Sequence, residues 1–144
     1  MGADINLQGA GGQTPLMASV LQGNTENVVA LLKHNPDVTI GEKDGYTAFH
    51  GVGFQGRADM VPIFMEHGLD PLDMHRDGHI GMHRACWGGE KRHTDTVEAF
   101  LKAGVPFDHP NANGETPMDM VRNNIKTKKL LKKWAKEAAK KDEV

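Results

Sequence analysis

Three stretches of the chain fall into register without a gap: GGQTPLMASVLQGNTENVVALL, DGYTAFHGVGFQGRADMVPIFM and DGHIGMHRACWGG. Thr14, Thr47 and Ile80 mark the same point in each and stand 33 residues apart. The next counterpart, Thr116 in NGETPMDMV, follows after 36. A fixed period of this length signals small supersecondary units that cannot bury their apolar faces alone and must stack on their neighbours. Three residues are therefore inserted in the third unit, between WGG and HTDTVEAFLKAG. To within one position they are Glu90, Lys91 and Arg92.

Each unit reads as turn, helix, turn, helix. Asp44-Gly45, Asp77-Gly78 and Asn113-Gly114 are turn dipeptides. Thr14-Pro15 and Thr116-Pro117 suit a helix start, with threonine as cap and proline in the first turn. The first helix closes near Gly23, Gly56 or Gly89. The second shows an apolar face: Val28, Val29, Leu31 and Leu32, then Met60, Val61, Phe64 and Met65, then Val97, Phe100 and Leu101. Gly68 and Gly104 supply left-handed residues that end second helices. Pro62 is expected to weaken one turn of its helix, since it removes a donor.

The period, the TPL piece and the DG-x-T-x-x-H pattern resemble the ankyrin repeat, and the likeness covers nearly the whole chain. It implies an all-α solenoid of stacked helix-turn-helix units with β-hairpin-like turns, about four units long. The expected division is a remnant of a preceding unit at 1–8, repeats at 9–41, 42–74 and 75–110, and a C-terminal capping repeat at 111–144. Ile80-Gly81 departs from the family's threonine-proline, so the third unit's first helix is expected to be less well capped. Met17 and Asp119 stand where the family has histidine.

Both ends of the array carry information. GADIN, Gly2 to Asn6, is similar to the tail of a unit whose own helices are missing. Without a preceding unit, part of the face formed by Leu16 and Val28 to Leu32 is expected to lie uncovered. At the other end, Leu130, Leu131, Trp134, Ala135, Ala138 and Ala139 recur at helical spacing with lysines between them. This is the pattern of a lysine-coated capping helix with Trp134 against the last unit.

The chemistry-rich stretch HRACWGGEKRHTD invites two enzymatic readings. His79, His83, Cys86 and His93 are nominees for a zinc site, which needs three or four ligands converging at ~2.0–2.3 Å. His83, however, recurs with the period as His50, and the resemblance implies that this histidine ties neighbouring turns together through its ring. Cys86 as a nucleophile would need an electropositive, partly exposed setting. Its counterparts Val20 and Gly53 point to helix packing instead. No phosphate loop, metalloprotease helix or esterase elbow is present. The expectation is a chain with no catalytic residues, no metal and no cofactor.

Recognition must then use positions that the repeat leaves free. Leu21, Phe54 and Trp87 are in register near the end of the first helix. The resemblance places that position, with the turn tips, on the concave face. The tips add Lys43, Asp44 and Tyr46, then Arg76, Asp77 and His79. The candidate partner-binding set is Leu21, Lys43, Tyr46, Phe54, Arg76, His79, Trp87, Lys91 and Arg92, the last two in a loop lengthened by the insertion. Asn123 ends the apolar row in the fourth unit.

The expected function is a non-catalytic protein–protein interaction module, with a regulatory or docking segment of a larger enzyme or receptor as the alternative. One cysteine excludes an internal disulfide framework and fits a reducing compartment. No apolar run approaches the ~18 residues that span a bilayer, and Met1-Gly2 lacks the serine or threonine that a myristoylation signal wants at Asn6. The expectation is an intracellular chain, cytoplasmic or nuclear, and a monomer unless an uncovered N-terminal face pairs two copies. Residues 1–125 carry 9 basic against 16 acidic side chains, and residues 126–144 carry 8 against 3. A basic tail allows contact with anionic lipid or nucleic acid, but the acidic body opposes it and only Trp134 interleaves with the lysines, so a solvated helix face is the preferred reading and nucleic acid is not an expected partner.

Overall fold

The computed structural model describes residues 4–142. Those residues form eight α-helices and no strand: α1 Pro15–Gln22, α2 Thr25–Leu32, α3 Ala48–Gln55, α4 Met60–Glu66, α5 Gly81–Trp87, α6 Lys91–Lys102, α7 Pro117–Met120 and α8 Ile125–Asp142. They pair in chain order and stack as two layers. The first helices run α1, α3, α5, α7, each against the next, and the second helices run α2, α4, α6, α8 behind them. Met1 to Ala3, which include part of GADIN and the Met1-Gly2 start, lie outside the described residues.

Local chemistry sets the helix starts. Thr14 Oγ1 accepts from Met17 N at 3.3 Å and Thr116 Oγ1 from Asp119 N at 3.4 Å, with proline in the first turn of both helices. Isoleucine at the third start has no acceptor, yet half of the cap survives: Ile80 N donates to His83 Nδ1 at 3.0 Å. Gly68 and Gly104 have φ of 80° and 102°, and Asn35 takes the corresponding place in the first unit with φ 50°. Pro62 does not weaken its helix. Because α4 begins at Met60, the missing donor falls in the first turn, where amides have no intrahelical acceptor.

The tips are one-rung hairpins: Glu42 N, His75 N and Asn111 N donate to Tyr46 O, His79 O and Glu115 O at 2.8–3.0 Å. Side chains at the first position of each tip close the turn from inside. Glu42 Oε1 accepts from Asp44 N, His75 Nδ1 from Asp77 N and Asn111 Oδ1 from Asn113 N. Successive tips are joined by Lys43 N to Gly11 O and Ala112 N to Gly78 O, each 3.0 Å. A further period-33 turn recurs where units meet: Asp4, Asp37 and Asp70 accept from the amide two residues on.

One apolar core runs the length of the stack. Val52, Met60, Phe64, Ile80, Met82 and Phe100 have no exposed surface, and burying each such side chain is worth about 1.5–3 kcal/mol. Phe49 bridges two units, 5.4 Å from the Phe64 ring and 5.5 Å from Phe100. Helices α3 and α5 approach backbone to backbone, because a Cβ on Gly53 would run into the carbonyl of Gly81. Trp134 and Leu131 of α8 pack onto the last part of this core.

The face of Leu16 and Val28 to Leu32 is open only in part: Leu16, Val28 and Leu32 are buried, because α1 packs on both α2 and α3, whereas Val29 and Leu31 are half-buried and Ala30 is exposed. The insertion, against expectation, does not lengthen a loop. Lys91 and Arg92 are the first residues of α6, which has 12 residues against 8 in α2 and 7 in α4. Lys91 pairs with Asp95 one turn along at 2.9 Å, and Thr96 Oγ1 bonds Arg92 O at 2.7 Å, so the extra residues continue the helix backwards.

Candidate functional site

Arg84 of α5 is out of step with the repeat: its counterparts are Ala18 and Gly51. Its side chain is 12% exposed. Nη2 donates to Tyr46 Oη at 2.6 Å and pairs with the Asp77 carboxylate, while Tyr46 Oη donates to Asp77 Oδ2 at 2.8 Å. Two neighbouring units are thus tied by one guanidinium, one phenol and one carboxylate, the strong charge-assisted kind of link.

Flat groups extend this cluster. Tyr46 stacks on His75 with centroids 3.8 Å apart and planes 7° from parallel. The Arg84 guanidinium lies 5.3 Å from the Tyr46 centroid and 4.5 Å from that of Trp87. Arg122 lies 5.3 Å from the Trp87 centroid, and His79 meets Trp87 edge-on at 4.9 Å. Cation–π contacts of this kind contribute roughly 0.5–2 kcal/mol each. Trp87 is therefore half-buried and held from several sides, whereas Phe54 is 59% exposed and Leu21 37%.

Leu21 and Phe54 open onto a cleft of about 210 Å³ between α1 and α3. Its lining includes Met17, Val20, Ala48 and Gly51 together with the polar Glu42 and Gln55, and Tyr46 and Arg84 also face it. Lys43 and Arg76 are exposed on the tips and His79 is half-buried beside Trp87. Lys91 and Arg92 sit at the start of α6, where Arg92 pairs with Glu90 at 3.3 Å. The structure thus brings Leu21, Phe54 and Tyr46 to one cleft and Tyr46, His79 and Trp87 to one aromatic cluster. Asn123 lies beyond α7, whose single turn ends at Met120.

The histidines and the cysteine have other work. His50 accepts Thr47 N on Nδ1 at 3.2 Å, and its Nε2 donates to Asp73 O at 2.9 Å. His83 does the same with Ile80 N and His109 O, and His93 with Glu90 N and Phe54 O. In each case burial depresses the ring pKa, the carbonyl bond opposing it. His79 is also depressed by burial. His83 and His93 therefore have both ring nitrogens occupied, and among the described residues no three His, Cys, Asp or Glu side chains are arranged to hold a metal ion. Cys86 is 0% exposed, and burial pushes its thiol up to about 12, the reverse of an activated nucleophile.

A second set of side chains escaped the sequence reading. Arg57 reaches back to Val20 O and Leu21 O at 3.0 and 2.8 Å, His93 to Phe54 O at 3.3 Å, and Asn124 to Gly88 O at 2.9 Å. Each satisfies carbonyls left open at the end of the preceding first helix. His93 has room because Gly88 carries no side chain; a Cβ there would enter the ring. The residue type changes from Arg to His to Asn, which hides the recurrence. Arg84 was missed as well, although a large charged side chain where the repeat has alanine and glycine is a signal that could have found it.

The family model described as ankyrin repeats (3 copies) matches residues 1–75. The Notch-regulated ankyrin repeat-containing protein of Homo sapiens is 40% identical over 58 residues, which are 40% of this chain and 51% of that protein. Notch-regulated ankyrin repeat-containing protein B of Danio rerio is 40% identical over 58 residues, 40% of this chain and 52% of its own length. An IkB-like protein of African swine fever virus (strain Badajoz 1971 Vero-adapted) is 35% identical over 77 residues, 51% of this chain and 32% of the viral protein. The chain spans about half the length of the Notch-regulated relatives it matches. No helix among the described residues is long and apolar enough to cross a membrane. With a period of 33, paired helices in two layers, one-rung tips and a family match over half its length, the chain belongs to the ankyrin repeat family.

Proposed function

We propose that the chain is a non-catalytic protein-interaction module that receives a partner segment on its concave side. Ankyrin repeats are generally modules of this kind. The observation that carries the reading is Phe54, a large apolar side chain 59% exposed beside Leu21 over an apolar cleft, at positions the core does not use. Tyr46, Arg84 and Trp87 stand beside it as a rigid wall, so little side-chain freedom is lost on docking. The proposed surface also takes in Lys43, Arg76 and His79 at the tips and Lys91 and Arg92 at the start of α6. The partner is a protein in an intracellular compartment, met by a single copy of this chain.

Replacing Phe54 and Leu21 together by alanine tests this. Truncating an anchor residue costs about 2 kcal/mol or more, roughly thirtyfold in affinity. A partner captured by the native protein should be lost by the double variant while thermal unfolding by circular dichroism is unchanged. Undiminished capture of every partner would refute the assignment.

A further inference from the structure

The outward face of α8 carries charge that neither the repeat nor the concave site uses. Lys129, Lys132, Lys133, Lys136 and Lys140 line one shallow hollow there, with Glu137 at its edge. All five lysines are exposed, and Thr127, Leu131 and Trp134 on the opposite side pack against the array. From Lys129 to Lys140 the row is about 16 Å long at 1.5 Å per residue. No carboxylate of residues 4–141 lies within 4 Å of any of the five, whereas Lys91 and Lys102 of α6 each pair with an acid four residues away. Lysines three and four apart repel and weaken a helix. Capping requires only the packed side, so that repulsion is unexplained by the fold.

We propose that this face docks the protein on an anionic phospholipid surface. Three features choose a lipid leaflet over other polyanions. The row is straight and lies on one side of a helix whose other side is buried, so α8 cannot enter a nucleic-acid groove, which must admit a whole helix. It contains no arginine, asparagine, glutamine or aromatic residue, so it has nothing to read or stack on a base. Its lysines project together toward one plane, which a flat charged surface meets all at once. The apolar stripe of α8 is already spent on the core, so contact is electrostatic and needs no insertion. Residues 1–125 bear 9 basic against 16 acidic side chains and are repelled by the same surface, which orients the chain with α8 toward the lipid and the remaining units away.

The test is co-sedimentation of the full chain with vesicles of phosphatidylcholine alone or with about a third phosphatidylserine. Each lysine near an anionic leaflet contributes about fivefold in affinity. The triple variant K132A/K133A/K136A should therefore bind phosphatidylserine vesicles roughly a hundredfold more weakly than native protein, with unchanged circular dichroism. Raising the salt should release the native protein from these vesicles. Equal binding to both vesicle types, equal binding by the triple variant, or tighter binding to duplex DNA than to vesicles in the same buffer would each overturn the proposal. None of these outcomes bears on the concave cleft, which α8 does not line.

Discussion

The histidine ties make stability fall in mild acid, and ring geometry fixes the sign. In His50, His83 and His93, Nδ1 accepts a backbone N–H while Nε2–H donates to a carbonyl, which only the neutral ring can do. All three rings are buried, at 4%, 0% and 7% exposure, and burial depresses their pKa below the ordinary 6.5. Around His50, the carbonyl and carboxylate of Asp73 pull the other way, while His75 and Arg84 add to the depression. Below pH 6.5 the unfolded chain therefore binds more protons than the folded one, until the depressed values are reached. Stability is full above 6.5 and is lost as the pH falls through that window. Each ring contributes at most one proton, about 1.4 kcal/mol per pH unit, so the three set a ceiling of about 4 kcal/mol per pH unit. Urea unfolding followed by circular dichroism, from about pH 8 to about pH 5, measures the slope directly. Net uptake of protons on unfolding is expected below pH 6.5, at most one from each of these rings and one from the likewise depressed His79, and His83→Gln should reduce it. A flat profile across the window, or one that His83→Gln leaves unchanged, refutes the neutral-ring arrangement.

Two further outcomes follow from packing. Gly53→Ala forces α3 and α5 apart at the carbonyl of Gly81. Overpacking costs about 1–3 kcal/mol or more, and the better helix propensity of alanine returns only about 1. A lowered urea midpoint with an unchanged fold is expected, and a variant as stable as the native chain contradicts the close approach. Cys86, fully buried with its thiol pushed up to about 12, should resist a thiol reagent at neutral pH until urea unfolds the chain. Rapid stoichiometric labelling of the folded protein would show that the thiol is accessible after all.

What was legible in the sequence was whatever the period repeats. Turn dipeptides at Asp44-Gly45 and Asp77-Gly78, the capping threonines Thr14 and Thr116, and the paired histidines His50 and His83 each return in step, so one unit interprets the next. Leu21 and Phe54 were legible as exposed for the same reason, since their register position is not needed by the core. The insertion was located but its form was not. Three added residues lengthen a loop or a helix equally well in a string of letters, and the Lys91–Asp95 pair and the Arg92–Thr96 bond decided for helix. Which part of the face of Leu16 and Val28 to Leu32 is covered was also hidden, because it depends on how tightly α1 seats on its neighbours. Trp87 was expected in an open row with Phe54. It is instead gripped by Arg84 and Arg122, which come from different units and have no counterpart in the others.

The backward-reaching donors give the stack a direction. Arg57, His93 and Asn124 each hand a hydrogen to carbonyls of the unit before, and Lys43 N and Ala112 N do so between tips. Every unit is completed by its successor, like tiles laid so that each overlaps the last. Trimming from the C-terminal side would strip donors from carbonyls that had been sealed.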